Sequence, residues 1–112
     1  MKKILLLIVF SFILYGCGNT NNMIDIKKIM DEKEYIIIDV RTEEEYRASH
    51  ITGALNIPYD QINEKTKLDF DKVIFVYCKS GNRSKIAFDK LVSLGYEVYD
   101  LGAFSKIDLP KE

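Results

Sequence analysis

The sequence predicts an α/β domain with a central, mostly parallel sheet and helices on both faces. Three short apolar runs, rich in β-branched residues, have the composition of strands buried inside a parallel sheet. Segments with helical spacing of apolar residues alternate with these runs, which indicates right-handed strand–helix–strand crossovers. The chain has 112 residues, 47% apolar and 29% charged, which is enough for one globular domain.

The elements follow from local signals in chain order. Asp25 is predicted to cap a helix, and Thr42 with Glu45 forms a capping box that starts a short helix ending at Ala48. Gly95 is predicted to end the longest helix. The predicted elements are a helix at 26–31, a strand at 35–40, the helix ending at 48, a strand at 54–57, a helix at 60–65, a strand at 72–77, a helix at 84–94 and a third central strand at 97–101.

The N-terminal segment has the pattern of an export signal. Lys2 and Lys3 precede an apolar run over residues 4–15, which is shorter than the ~20 residues of a transmembrane helix. The run ends in Leu14-Tyr15-Gly16-Cys17, which resembles the lipobox of bacterial lipoproteins. In that family the Cys thiol receives a diacylglyceryl group, and the signal peptide is cut off before the Cys.

The lipobox resemblance implies three segments and a location. Residues 1–16 are a cleaved signal peptide, 17–23 are the lipidated Cys17 with a short tether, and 24–112 are the domain. Two acyl chains give stable anchoring, so we expect the domain on the extracytoplasmic side of a bacterial membrane. An ordinary secretory signal, or a buried helix with an incidental Cys, is the alternative.

The composition argues against a structural zinc site and against nucleic-acid binding. A single His and two Cys are too few for a structural zinc site, which usually takes four His or Cys ligands. The balance of 16 basic and 17 acidic side chains gives no electrostatic reason to expect nucleic acid as a partner. No metal or cofactor is predicted. If Cys17 carries lipid, Cys78 is a lone thiol outside the cytoplasm, which is a liability unless it is used.

The loop after the second buried strand carries the candidate chemistry. It reads Cys78-Lys79-Ser80-Gly81-Asn82-Arg83-Ser84 and lies between a strand and a helix, where open α/β sheets bind ligands. Its small residues allow successive N–H groups to point inward as an anion-binding nest, and the helix N-terminus adds partial positive charge. A Cys at that focus has a lowered pKa, which makes Cys78 a candidate nucleophile.

The other loop residues are candidates for substrate binding. Gly81 permits a backbone angle that other residues avoid. Lys79 and Arg83 add positive charge, and Arg83 contacts an anion or braces the loop. Ser80, Asn82 and Ser84 are expected to act through their backbone N–H groups, with Ser84 also a candidate helix N-cap.

With the segments before it, this loop resembles the single-domain rhodaneses. Cys78, Gly81 and Arg83 match the active-site loop of that family. The first half of the chain matches it at Asp39-Val40-Arg41, Glu45-Tyr46 and His50-Ile51-x-Gly53-Ala54-x-Asn56-Ile57-Pro58. The resemblance covers residues 24–107. The chain departs at Ala103, where family members often have a second Gly, and no Trp follows.

The resemblance implies a sulfurtransferase. Cys78 would take sulfane sulfur from thiosulfate or a related small anion and pass it to cyanide or to an acceptor thiol, including one on a protein. Two alternatives remain: a partner-dedicated sulfur-relay or binding module, and a Cys-dependent phosphatase or arsenate reductase. Those phosphatases use Cys-x5-Arg, whereas Cys78 to Arg83 is the shorter Cys-x4-Arg.

Three residues outside the loop are also candidates. His50 is structural in the resembled family, and we expect the same here. Asp39 and Arg41 are expected to brace the loops through an internal Asp–Arg or Arg–Glu bridge. Arg41 lining the pocket is the other interpretation.

Overall fold

The structure, a computed structural model, describes residues 23–112. In chain order its elements are α1 (Met23–Glu32), β1 (Tyr35–Asp39), α2 (Glu43–Ala48), β2 (Leu55–Asn56), β3 (Val73–Cys78), α3 (Asn82–Ser93) and β4 (Val98–Ala103). Short 3-10 helices at Tyr59–Gln61 and Phe104–Lys106 follow β2 and β4. The predicted signal peptide and lipobox lie outside the described residues.

The four strands form one sheet in the order β2-β1-β3-β4, and every neighbouring pair is parallel. All strands therefore end at one edge of the sheet, which we call the carboxyl edge. β3 lies inside the sheet, and all six of its residues are buried because both of its faces are covered. Within residues 23–112, no helix has the length and hydrophobicity that crossing a membrane requires.

Each face of the sheet packs against a different helix. Alternate strand residues point to opposite faces. On one face, strand residues pack with α3, in a cluster that includes Ile38, Ile74, Val76, Ala87 and Leu91. On the other face, strand residues pack with α1, in a cluster that includes Ile26, Ile37, Val73, Phe75 and Tyr77. The predicted α/β fold, with a parallel sheet covered on both faces, is confirmed.

Local capping signals were read correctly at α2 and α3. Thr42 accepts the N–H of Glu45, and the Glu45 carboxylate accepts the N–H of Thr42, which completes the predicted capping box. Gly95 follows α3 with a φ of +101°, the left-handed conformation of a residue that ends a helix.

Three other local predictions were wrong. Asp25 lies in the first turn of α1 instead of capping it, because the helix begins at Met23. The segment 60–65 is not a helix. Beyond the 3-10 turn, Asn63 and Thr66 side chains bond nearby backbone N–H groups, which competes with helix formation. The last strand, β4, is the outermost strand on one side of the sheet and not a central one, because it pairs only with β3.

A buried polar network joins the ends of β1 and β3. The carboxylate of Asp39, which has no solvent exposure, accepts the Arg41 guanidinium with a shortest N–O distance of 2.6 Å. It also accepts the Tyr77 hydroxyl at 2.8 Å. That hydroxyl in turn accepts the backbone N–H of Ile51 at 3.0 Å. The expected Asp–Arg bridge is therefore present, and it extends to the strand that carries Cys78.

We expect Tyr77→Phe to lower the free energy of unfolding by about 1–3 kcal/mol, because the buried N–H of Ile51 loses its acceptor. Urea denaturation followed by circular dichroism measures this change. Tyr99→Phe is the matched control, since its hydroxyl bonds the exposed carboxylate of Glu97, and it should change stability by less than about 0.5 kcal/mol. Equal, small losses in both variants would contradict a stabilising role for the network.

Candidate active site

The turn between β3 and α3 is made by three residues after Cys78. Gly81 is the N-cap of α3 and has a φ of +104°, a conformation that side chains with a Cβ rarely adopt. The prediction that Ser84 caps the helix is wrong, because α3 begins two residues earlier, at Asn82. Ser84 is instead buried in the first turn, where its hydroxyl lies 3.2 Å from the carbonyl oxygen of Gly81.

The Cys78 sulfur lies at the focus of this turn. The whole residue is buried, and Sγ accepts the N–H of Gly81 at 2.9 Å. The Ser84 hydroxyl oxygen is 3.5 Å from Sγ. Burial by itself raises the pKa of the Cys78 thiol, but hydrogen bonds from the Ser84 hydroxyl and from the N–H groups of Ser84, Gly81 and Ser80 outweigh it. The pKa of Cys78 is therefore below its ordinary value.

The Arg83 side chain binds α2. Its Nη1 and Nη2 donate to the two carboxylate oxygens of Glu45, at 2.8 and 3.1 Å. This bidentate pair, together with the capping bonds from Thr42, lowers the pKa of Glu45 to about 2. The contact braces the start of α3 against the start of α2. Sequence reasoning assigned Glu45 to the capping box alone and missed this second role.

Lys79 and Asn82 lie on the outside of the loop, and both are exposed. Among residues 23–112, Lys79 makes no ion pair, so its ammonium group is the loop cation that remains available to a ligand. The two cations of the loop therefore have different roles: Arg83 holds α3 against α2, and Lys79 faces solvent.

An open groove of about 410 Å³ lies at the carboxyl edge, beside the loop. Its lining comes from residues just after three strands, from α2 and from the turn that follows α2. The lining residues are Arg41, Glu45, Ala48, Ser49, Lys79, Phe104 and Ser105.

Arg41 therefore both pairs with Asp39 and lines the groove, whereas Asp39 is buried beneath it. Phe104, which sequence analysis did not single out, stacks on the Arg41 guanidinium at 4.4 Å.

His50 is tied to α2 and to the C-terminal segment. Its ring stacks on Tyr46 with 3.9 Å between centroids, and Nδ1 lies 2.8 Å from the Tyr46 carbonyl oxygen. Nε2 lies 3.2 Å from the Glu112 carboxylate. None of these partners belongs to the Cys78 loop, which agrees with the structural role expected for this histidine. In the part of the chain that the structure describes, no cluster of three or more His, Cys, Asp or Glu is placed to hold a metal.

Comparison with known proteins identifies the fold. A family model described as the rhodanese-like domain matches residues 23–107. The chain belongs to the rhodanese-like family. Its Cys78 loop thus lies in a rhodanese domain that fills most of the chain.

Three curated relatives match between 66% and 95% of this chain. The uncharacterized protein YqhL of Bacillus subtilis is 34% identical over 117 residues, covering 95% of this chain and 93% of YqhL. Thiosulfate sulfurtransferase PspE of Escherichia coli is 36% identical, covering 66% of this chain and 75% of PspE. The adenylyltransferase and sulfurtransferase uba4 of Ogataea parapolymorpha is 29% identical, and there the matched region is only 22% of the relative.

Solved structures agree with this assignment. A rhodanese with anions from E. coli superposes with a TM-score of 0.63 at 33% identity, covering 70% of this chain and 96% of that one. The BH2092 protein of Bacillus halodurans superposes with a TM-score of 0.66 at 31% identity, covering 80% of this chain and 73% of that one.

We expect Ser84→Ala to raise the pKa of Cys78, because the thiolate loses one hydrogen-bond donor. Titration of the thiolate ultraviolet absorbance measures this shift. Ser80→Ala is the matched control, because Ser80 acts on the sulfur through its backbone N–H and its pKa effect should persist. An unchanged titration midpoint in Ser84→Ala would contradict the hydroxyl contact.

The lowered pKa of Cys78 makes the free energy of unfolding depend on pH. A lowered thiol pKa stabilises the fold above the ordinary thiol pKa, and this contribution is lost as pH falls through the folded-state pKa. The destabilisation caused by Ser84→Ala should therefore be larger at about pH 9 than in acid, which urea denaturation at the two pH values measures.

Proposed function

We propose that this rhodanese domain is a sulfurtransferase that carries sulfane sulfur as a persulfide on Cys78. The observation that carries the proposal is the Cys78 sulfur with a lowered pKa at the focus of three backbone N–H groups. Its relatives include a protein named as a thiosulfate sulfurtransferase, and that match supports thiosulfate or a similar anion as donor.

The donor half-reaction needs no cofactor. The Cys78 thiolate attacks the outer sulfur of thiosulfate, the bond between the two thiosulfate sulfurs breaks, and sulfite leaves with the electron pair. The negative outer sulfur of the persulfide is then stabilised by the N–H groups of residues 80–84. Lys79 attracts the incoming dianion, and Arg83 keeps the loop in shape through Glu45.

The acceptor half-reaction restores the thiolate. Cyanide or an acceptor thiolate attacks the outer sulfur, the persulfide S–S bond breaks, and Cys78 leaves as a thiolate. The products are thiocyanate or a new persulfide on the acceptor. Relatives such as uba4, named as both an adenylyltransferase and a sulfurtransferase, favour a dedicated protein as the second candidate for the acceptor. The engagement of Arg83 with Glu45 disfavours the phosphatase interpretation, because the guanidinium is already paired with a carboxylate of this chain.

The proposal includes a location. Signal cleavage before Cys17 and lipidation of its thiol would hold the domain on the extracytoplasmic face of a bacterial membrane. The lipobox-like Leu14-Tyr15-Gly16-Cys17 supports this part of the proposal.

Thiosulfate should add one sulfur, about 32 Da, to the full-length chain, and cyanide or thiol should remove it. Intact-mass spectrometry of the detergent-extracted protein before and after each treatment measures the change. Cys78→Ser should show no gain, because it keeps the size of the side chain and removes the sulfur nucleophile. If neither thiosulfate, a thiosulfonate nor polysulfide adds sulfur to the wild-type chain, the sulfurtransferase proposal fails.

Cys17→Ala should abolish incorporation of labelled fatty acid, because it removes the acylated thiol. Fatty-acid labelling of the expressing bacteria measures this effect. Cys78→Ala is the matched control and should retain the label. A Cys17→Ala chain that still carries fatty acid would refute lipidation at this residue.

A further inference from the structure

We propose that the anchored domain presents its active-site loop and groove to the membrane surface, which fits it to an acceptor thiol on a membrane-held protein. The inference rests on the proposed lipid anchor and on the direction of α1. It specifies where the partner of the Cys78 persulfide is found.

Helix α1 runs antiparallel to the strands. It ends at Glu32, just before β1 begins at Tyr35, and Lys33 next to this end pairs with Glu97, just before β4. Near the start of α1, Lys27 pairs at 3.0 Å with Asp108, which lies beyond the end of β4. The start of α1 is therefore at the carboxyl edge, the edge that also carries the Cys78 loop.

The lengths of the elements agree with this direction. Helix α1 packs on the sheet through Ile26, which shares one buried cluster with residues near both ends of the strands, among them Val73 and Ile107. A ten-residue helix is about 15 Å long, and a six-residue strand spans about 17–20 Å. Helix α1 thus spans most of the height of the sheet, and Met23 marks the point where the tether joins the carboxyl edge.

The tether is short compared with the height of the sheet. Six Cα–Cα steps separate Cys17 from Met23, and a fully extended chain of that length reaches at most about 22 Å. A flexible chain of that length has a typical end-to-end distance of only about 13 Å. Turning the domain so that the opposite edge faces the bilayer would require a nearly extended tether, at a cost in conformational entropy. The carboxyl edge is therefore the face held toward the lipid.

The groove at this edge suits a polypeptide better than an acyl chain. Charged side chains, those of Arg41, Glu45 and Lys79, form much of its lining, and Phe104 is its one large apolar residue. A persulfide in a loop that faces the membrane surface meets thiols held at that surface more often than thiols in bulk solution. The acceptor that fits is a protein thiol held close to the bilayer.

The first experiment measures orientation in the full-length, lipidated chain carrying Cys78→Ala. One fluorescent donor is attached through Lys106→Cys, at the carboxyl edge, or through Asp71→Cys, before β3 at the opposite edge; both positions are exposed. The proteins are reconstituted in phosphatidylcholine vesicles with a headgroup-labelled acceptor lipid. Energy transfer should be clearly stronger from position 106, because that label is closer to the surface by roughly the height of the sheet, about 17–20 Å.

The second experiment measures sulfur transfer by wild-type chain loaded with labelled persulfide. The vesicles contain phosphatidylthioethanol, whose thiol lies at the surface, or a lipid whose thiol is carried on a long polyethylene glycol spacer. Transfer to the surface thiol should be at least several-fold faster. A Gly/Ser insertion of about 20 residues between Thr20 and Asn21 should remove most of this preference by freeing the domain.

The possible negative results overturn different parts of the proposal. Equal or reversed energy transfer from a chain that is bound to the membrane would overturn the orientation alone. A chain that is absent from the membrane fraction would overturn the orientation together with the anchoring. Equal transfer to surface and spaced thiols would overturn the membrane-held acceptor, whereas failure to load sulfur refutes the sulfurtransferase proposal and leaves the energy-transfer result standing.

Discussion

The carboxylate of Asp39 has no contact with solvent, and groups from three parts of the chain depend on it. Arg41 is held over the groove, Tyr77 of β3 is fixed by its hydroxyl, and through Tyr77 the backbone of Ile51 is held at the start of the β2 segment. Removing one partner from a buried ion pair costs about 3–5 kcal/mol, because the remaining charge stays buried without compensation. The edge of the sheet that carries the candidate chemistry is therefore built around one buried charge.

In the loop above this network, different groups stabilise the sulfur and brace the helices. Stabilisation of the sulfur comes from oriented N–H groups and one hydroxyl, none of which carries a formal charge. The cation at the start of α3, Arg83, is neutralised by Glu45 and holds two helices together. An anion approaching the loop thus meets a preorganised cradle of dipoles with one exposed loop cation, Lys79, at its side. Such an arrangement stabilises charge without reorganisation when the reaction takes place.

The sequence predicted most of the fold because strong local patterns agreed with tertiary structure. The buried strands, the capping box at Thr42 and the helix end at Gly95 are all local signals of this kind. Predictions failed where the deciding contact is distant or where two local signals compete. Side-chain bonds around Asn63 displaced a helix, and the edge position of β4 depends on the pairing of the whole sheet.

For the candidate site, the sequence predicts the loop but not the long-range contacts that hold it. Cys78 and the nest around it follow from a strand–loop–helix pattern with Gly81 at its centre. The Arg83–Glu45 pair joins residues 38 positions apart, and the stacking of Phe104 on Arg41 joins the segments that follow β4 and β1, so neither leaves a periodic signal. The family resemblance quoted Glu45 and Arg83 in separate motifs, and only the structure brings their charged groups into contact.

Complete burial of Cys78 has a further consequence for the resting domain. A thiolate is readily oxidised by peroxide or captured by a passing disulfide, and both reactions need direct access to the sulfur. Burial keeps such reagents from direct contact with the sulfur, so the nucleophile is protected in the arrangement that the structure describes. A sulfur donor needs the same direct contact, so any exposure of the sulfur that admits a donor also exposes the thiol to damage.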